Sequence, residues 1–119
     1  MEKVNLADKF SRIFEHWSPK IVAELDDYEV KLAKVEGEFV WHSHADTDEF
    51  FLVHRGELTI EMRQQSVTLR AGEFFVVPRG VEHRPLAAAE CEIVMIEAAG
   101  TLNTGEAGGS RTVADPEWL

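Results

Sequence analysis

An all-β domain, a sandwich or barrel preceded by one short helix, is the fold class this sequence predicts. Two observations carry that expectation. From Lys20 onward the chain breaks into about nine short apolar or alternating runs, each bounded by Asp, Gly, Pro or Gln turns. At 119 residues, with no internal repeat and no linker, it has one core to build rather than two.

The elements follow in order. Asn5 to Phe14 (NLADKFSRIF) places Leu6, Phe10, Ile13 and Phe14 on one helical face with Asn5 as the cap, which predicts a short helix packed on the body. Lys20 to Leu25 and Tyr28 to Val35 flank Asp26-Asp27 as a hairpin. Glu38 to His44 and Glu49 to His54 come next, parted by Ala45-Asp46-Thr47-Asp48. Leu58 to Arg63 and Val67 to Leu69 flank Gln64-Gln65, a second hairpin turn. Phe74 to Val77 ends at Pro78-Arg79-Gly80, where proline fixes φ and glycine permits a tight bend. Glu82 to Leu86 and Cys91 to Glu97 complete the set. This predicts a single domain over 1–119, with a core barrel over about 18–99 and an irregular tail over 100–119. The tail is rich in Gly, Thr and Ser, so its end is expected to be mobile unless Trp118 and Leu119 dock on the barrel.

Charge narrows the partners. Against 12 Lys plus Arg stand 22 Asp plus Glu, a formal net charge of −10. Such a chain repels phosphate backbones and anionic lipid, so neither nucleic acid nor a membrane is expected as a partner. No apolar run approaches the roughly 20 residues of a membrane span, and MEKVNLADKF lacks the basic start and apolar stretch of a secretion signal. Cys91 is the sole cysteine, so no disulfide forms within the chain. A cytoplasmic protein is expected.

Chemistry concentrates in WHSHADTDEFFLVHRG, Trp41 to Gly56. On a strand, positions i and i+2 face the same way, roughly 6.5–7 Å apart. His42 and His44 can then turn two imidazoles toward one centre, each reaching a metal at about 2.1 Å. Glu49, opening the next strand, returns a carboxylate beside them. Taken alone, His-x-His reads rather as an exposed polar edge with two chance histidines. Downstream, GEFFVVPRGVEH runs from Gly72 through the Pro78–Gly80 bend to His83, a natural third imidazole.

These residues resemble the two motifs of the cupin superfamily. The first motif is matched by Gly37, His42, His44, then four residues, Glu49, six residues and Gly56. The second is matched by Gly72, five residues, Pro78, Gly80, two residues and His83. The fifteen residues between Gly56 and Gly72 suit a compact member. Two departures stand out: Gly37 is four rather than five residues before His42, and Ala87 replaces the asparagine that ends the second motif. The resemblance implies a cupin-type double-stranded β-helix, a jelly-roll barrel, holding one divalent metal through His42, His44, Glu49 and His83. Those ligands admit Zn, Fe, Mn, Ni, Co or Cu and leave positions open for water or a ligand.

Cupins with this ligand set include isomerases, dioxygenases, decarboxylases and proteins that only bind, so the resemblance does not select the reaction. Two readings follow. One is a small metalloenzyme, isomerase- or dioxygenase-like, acting on an oxygen-rich small molecule. The other is a non-catalytic small-molecule or metal-binding protein. No general base stands apart from the metal ligands, so no catalytic residue is assigned. An enzyme would need a pocket on the order of several hundred Å³.

The remaining candidates read as structural. His54 falls on the strand face opposite Glu49, and His16 lies solvated between helix and first strand. Cys91 sits in a core-like context as inert packing. Arg79 and Arg84 flank the second-motif bend as surface charges, or meet an anionic substrate at the barrel mouth. Alternation predicts a homodimer. With Val40, Phe51 and Val53 inward, the outer face would carry Phe39, Trp41, Phe50 and Leu52, which a second copy would cover. Lys20 to Leu25 would pair across subunits.

Overall fold

The computed structural model describes residues 1–119. One short helix, α1 (Leu6–Phe10), precedes seven strands: β1 (Lys20–Leu25), β2 (Tyr28–Glu38), β3 (Glu49–Arg55), β4 (Glu57–Met62), β5 (Ser66–Arg70), β6 (Phe74–Val77) and β7 (His83–Ala98). All pairings between strands are antiparallel. The sheet path runs β1-β2-β7-β3-β6, and β4 joins β7 while carrying β5. β7 closes the arrangement. One of its edges follows β2, and the other pairs first with β4 over His83–Leu86 and then with β3 over Glu92–Ile96. No helix is long and apolar enough to cross a membrane.

Seven strands replace the nine expected, for two local reasons. Glu82–Leu86 and Cys91–Glu97 belong to one 16-residue strand, because the Ala87–Glu90 stretch between them holds no turn-forming residue and stays extended. The expected strand over Glu38–His44 does not form. β2 ends at Glu38 after a bulge at Gly37, whose φ is 81°, and beyond it only His42 is bridged, to His83. Phe39 N donates to Pro85 O, but proline has no N–H to continue the ladder. This break shifts the alternation. Phe39 turns inward and is buried against Trp17, while Val40 is half-buried.

The helix is also shorter than the apolar spacing suggested. Asn5 Oδ1 accepts from Asp8 N at 2.9 Å as expected, but Ser11 already caps the other end. Phe10 and Ile13 are buried; Phe14, past the cap, is 88% exposed. Two apolar clusters result. Val35, Phe51, Val53, Leu58, Ile60 and Ile93 are among those filling the barrel. Phe10 and Ile13 pack outside it on Val22, Leu32 and Val94, with Leu52 against them. Leu52 is therefore partly covered by its own chain. Trp41 lies half-buried under the Arg63 guanidinium, 3.8 Å from its ring centre. Phe74 and Val76 of β6 remain exposed beside Phe50.

The tail is irregular but docked. Ile21 N donates to Glu117 O at 2.8 Å and Leu119 N to Ile21 O at 2.9 Å. Lys9 Nζ donates to the Leu119 carbonyl at 2.8 Å, and the Leu119 side chain packs on the outer cluster while Trp118 stays exposed.

Candidate metal centre

His42 sits on the bridged segment beside β7, and His44 follows it in the loop. Glu49 is the first residue of β3, and His83 the first of β7. Reciprocal backbone hydrogen bonds between His42 and His83, at 3.0 and 2.9 Å, set the two rings side by side. One donor atom from each of His42, His44, Glu49 and His83 lies within 4.8 Å of the others, and all four residues are buried. Every ligand expected from the sequence is thus in one place.

Hydrogen bonds orient the rings. Nδ1 of His42 lies 2.9 Å from Val40 O, and Nδ1 of His83 lies 2.9 Å from Val81 O. A carbonyl only accepts, so we assign the hydrogen to Nδ1 in both rings, which leaves each Nε2 for the centre. Glu49 Oε1 stands 3.1 Å from His83 Nε2 and 3.2 Å from His44 Nε2. His44 Nε2 is buried with no hydrogen-bond partner. Ring lone pairs therefore face a carboxylate in a closed space, and a cation between them satisfies all of them together. Two ligands of one ion at about 2.1 Å are at most about 4.2 Å apart, so donors as far apart as 4.8 Å would have to close by about 0.6 Å or more. The donor set fits a divalent transition ion.

Electrostatics hold His42 and Glu49 in forms that could bind a metal. Burial, then the neighbouring His83, push the His42 pKa down to about 4, so its imidazole is neutral near pH 7. Burial pushes Glu49 upward, but the His44 and His83 imidazoles beside it outweigh that and hold the carboxyl below its ordinary value.

Behind Glu49 lies a second buried carboxyl that the sequence reading missed. Glu97 has Oε1 3.0 Å from Lys31 Nζ, while Oε2 is buried without a partner. Burial and the Glu49 carboxylate push Glu97 well above its ordinary value, against the pull of Lys31. The signal was present in the strand phase. Glu97 alternates with Cys91, Ile93 and Met95, and Lys31 with Ala33 and Val35, so both occupy inward positions of apolar strands.

Trp17, Phe39, Phe51, Met95, Glu97 and Asn103 are among the walls of the cavity beside His42 and Glu49. Its volume, about 30 Å³, holds a water or two. That is far smaller than the several-hundred-Å³ pocket expected for an enzyme. The other candidates lie outside the centre. His54 pairs with Glu92 at 2.9 Å and stacks on Phe10, and exposed His16 contacts Glu90 at 2.7 Å. Cys91 is buried, and that burial pushes its thiol up to about 11. Arg79 pairs with Asp48, and Arg84 with Glu61 and Glu38. Neither arginine lines the cavity.

Comparison with known proteins agrees with this geometry. A cupin-2 domain containing protein from Shewanella frigidimarina NCIMB 400 is 58% identical, with a TM-score of 0.79 over 80% of this chain and 93% of that one. The uncharacterized protein YdbB of Bacillus subtilis is 39% identical over 64 residues, 53% of this chain and 57% of that protein. The chain thus spans little more than half the length of that curated relative. Hydroquinone 1,2-dioxygenase from Sphingomonas sp. TTNP3, solved with 4-hydroxybenzoate bound, shares the fold at 18% identity, with a TM-score of 0.69 over 82% of this chain and 74% of that one. The family model for the cupin domain matches residues 28–97. A matched barrel over more than half the chain, carrying both motifs around one His/Glu cluster, makes this protein a member of the cupin family.

Proposed function

We propose that this protein is a small metalloenzyme that holds one divalent transition ion through His42, His44, His83 and Glu49 and acts on a small oxygen-bearing molecule. The observation that carries this reading is the convergence of three imidazoles and a carboxylate in a buried space, with His44 Nε2 left without a partner. A bound ion would supply Lewis acidity toward a ligand oxygen, or dioxygen chemistry if it is iron. The chain's own residues do the rest. The Val40 and Val81 carbonyls orient two rings, and Trp17, Phe39, Phe51 and Met95 give the cavity apolar walls that limit the water it admits. Those walls favour a substrate with a largely apolar body and one or two oxygens, which supports an oxygenase-like reading over a phosphosugar isomerase. The dioxygenase relative bound to 4-hydroxybenzoate supports the same choice. The cavity of about 30 Å³ favours a second reading, a metal-binding protein without catalysis.

The test is metal loading. Metal-free protein is offered Zn, Fe, Mn, Ni, Co and Cu in turn, each loaded form is weighed by native mass spectrometry, and each is then assayed for dioxygen uptake with small phenols and hydroxy acids. One ion per chain with metal-dependent turnover is the expected result. One ion with no turnover selects the second reading, and no ion overturns both.

We also infer a homodimer. β6 ends the sheet path, and Phe74 (61% exposed), Val76 and Phe50 form an apolar strip along it. A second copy related by a two-fold axis buries the strip against itself and shields the edge. The Lys20–Leu25 edge, the other end of the path, is already joined at Ile21 by the tail. Light scattering should give twice the 13.4 kDa chain mass, and Phe74→Glu should halve it. A monomeric parent at micromolar concentration overturns this.

A further inference from the structure

We propose that residues 101–113 form a lid over the metal centre, and that ion and substrate enter only when it lifts. The placement of this segment is the first argument. Gly105, at φ +54°, lies so close to the barrel that a Cβ there would sit 2.0 Å from Ser43 O and 3.2 Å from His44 Nδ1. Asn103 forms part of the small inner cavity wall with His42 and Glu49. The same segment also walls a larger, polar cavity of about 270 Å³, between Ser43–Thr47 on one side and Ala98–Glu106 on the other. The lid thus borders both the confined metal cavity and a roomier cleft that His44 also lines.

Its internal bonding and its attachment to the barrel differ sharply. Asn103 Nδ2 donates to Arg111 O and its Oδ1 accepts from Val113 N, each at 2.8 Å, while the Thr104 and Thr112 hydroxyls meet at 2.6 Å. These bonds tie the segment into one compact loop able to move as a unit. Toward the barrel it makes no backbone–backbone hydrogen bond beyond the adjoining Ala98. A 3.4 Å hydrogen bond from Lys31 Nζ to Thr101 O holds one end. The Arg111 guanidinium, 5.4 Å above Trp17 and 6.0 Å above Phe39, latches the other. The flanks are firm: β7 precedes the loop, and residues 117–119 bond to Ile21 after it. Gly100, at φ +82°, supplies a pivot. Lifting the loop would merge cleft and cavity into a space near the lower end of small-molecule sites, about 300 Å³. This inference deepens the metalloenzyme reading by naming its entrance, but the motion itself needs no metal.

The test uses one methyl group. Gly105→Ala drives a Cβ into Ser43 O and should prop the lid open; Gly108→Ala carries a similar positive-φ strain, at +63°, with nothing within 4 Å, and serves as control. In metal-free protein, diethylpyrocarbonate modification of His42, His44 and His83 is followed by mass spectrometry, with exposed His16 as internal reference. Gly105→Ala should speed modification of the three by about tenfold, and Gly108→Ala should not. Should Gly105→Ala unfold the domain, Arg111→Ala releases the latch and should show the same acceleration. For protein that takes up metal, loading and chelator-driven release should quicken together while equilibrium affinity changes less than about threefold. Unchanged histidine reactivity in the folded variants overturns the lid. Faster release without faster loading also overturns it, since the segment would then be part of the site's support. Accelerated modification in a protein that takes up no metal leaves the lid standing and removes the metalloenzyme reading.

Discussion

His44→Ala is expected to abolish stoichiometric metal binding while leaving the barrel folded. Altering a residue behind a metal ligand already costs about ten- to a hundredfold in affinity, so removing a ligand should cost more than about a hundredfold. Folding should survive because of what His44 does not do. Its Nε2 has no hydrogen-bond partner, and it lies in the loop between β2 and β3, outside every strand. The apolar cluster of Val35, Phe51, Val53, Leu58, Ile60 and Ile93 is untouched by the change. Elemental analysis and circular dichroism on the same sample decide the matter. Parent-like affinity would put His44 outside the coordination shell, and a disordered variant would make its role structural.

Lys31→Met should be the most damaging single change to stability. Lys31 is 2% exposed, with Nζ 3.0 Å from Glu97 and 3.7 Å from Glu29. Removing one partner of a buried pair typically costs about 3–5 kcal/mol, because the remaining charge is stranded. Glu97 would be stranded beside the Glu49 carboxylate. The pH dependence follows from the direction of its shift. Glu97 is already held above its ordinary value, and losing Lys31 raises it further. A carboxyl raised in the folded state penalises folding at pH above its unfolded value, near 4.5, and the penalty fades as pH falls toward that value. Urea melts of Lys31→Met should therefore show the largest deficit near pH 8 and a shrinking one toward pH 4.5. Adding Glu97→Gln should recover most of the loss. A deficit independent of pH, or none at pH 8, would contradict this account.

The grouping of His42, His44, Glu49 and His83 was legible because their spacing and the bends around them are local properties. His42 and His44 share a phase, and Pro78–Gly80 fixes the turn that returns His83. Strand limits were legible where Asp26-Asp27 or Gln64-Gln65 marks a turn, and illegible where the chain gives no mark. Ala87–Glu90 looked like a break only because it is weakly apolar, and the backbone runs straight through it. The facing of Phe39 was misread because the ladder fails at Pro85, a partner more than forty residues away that no local pattern announces. The tail's docking was invisible for a similar reason. Backbone hydrogen bonds at Ile21 carry it, and side-chain periodicity does not record such bonds. Lys31 and Glu97 needed only a stricter reading, with every polar residue in an inward phase treated as a question.

β7 has a consequence for how the domain comes into being. β2, β3 and β4 never pair with one another; each meets the others only through β7. Until residues 83–98 arrive, the chain holds three separate ribbons, β1 with β2, β3 with β6 and β4 with β5. A two-stranded ribbon alone is marginal in water. Closure must therefore be nearly all-or-none and must bridge long loops, which places the domain among the slower-folding β topologies. The same step carries His83 to His42, His44 and Glu49, so the candidate metal centre is completed in the act that completes the fold.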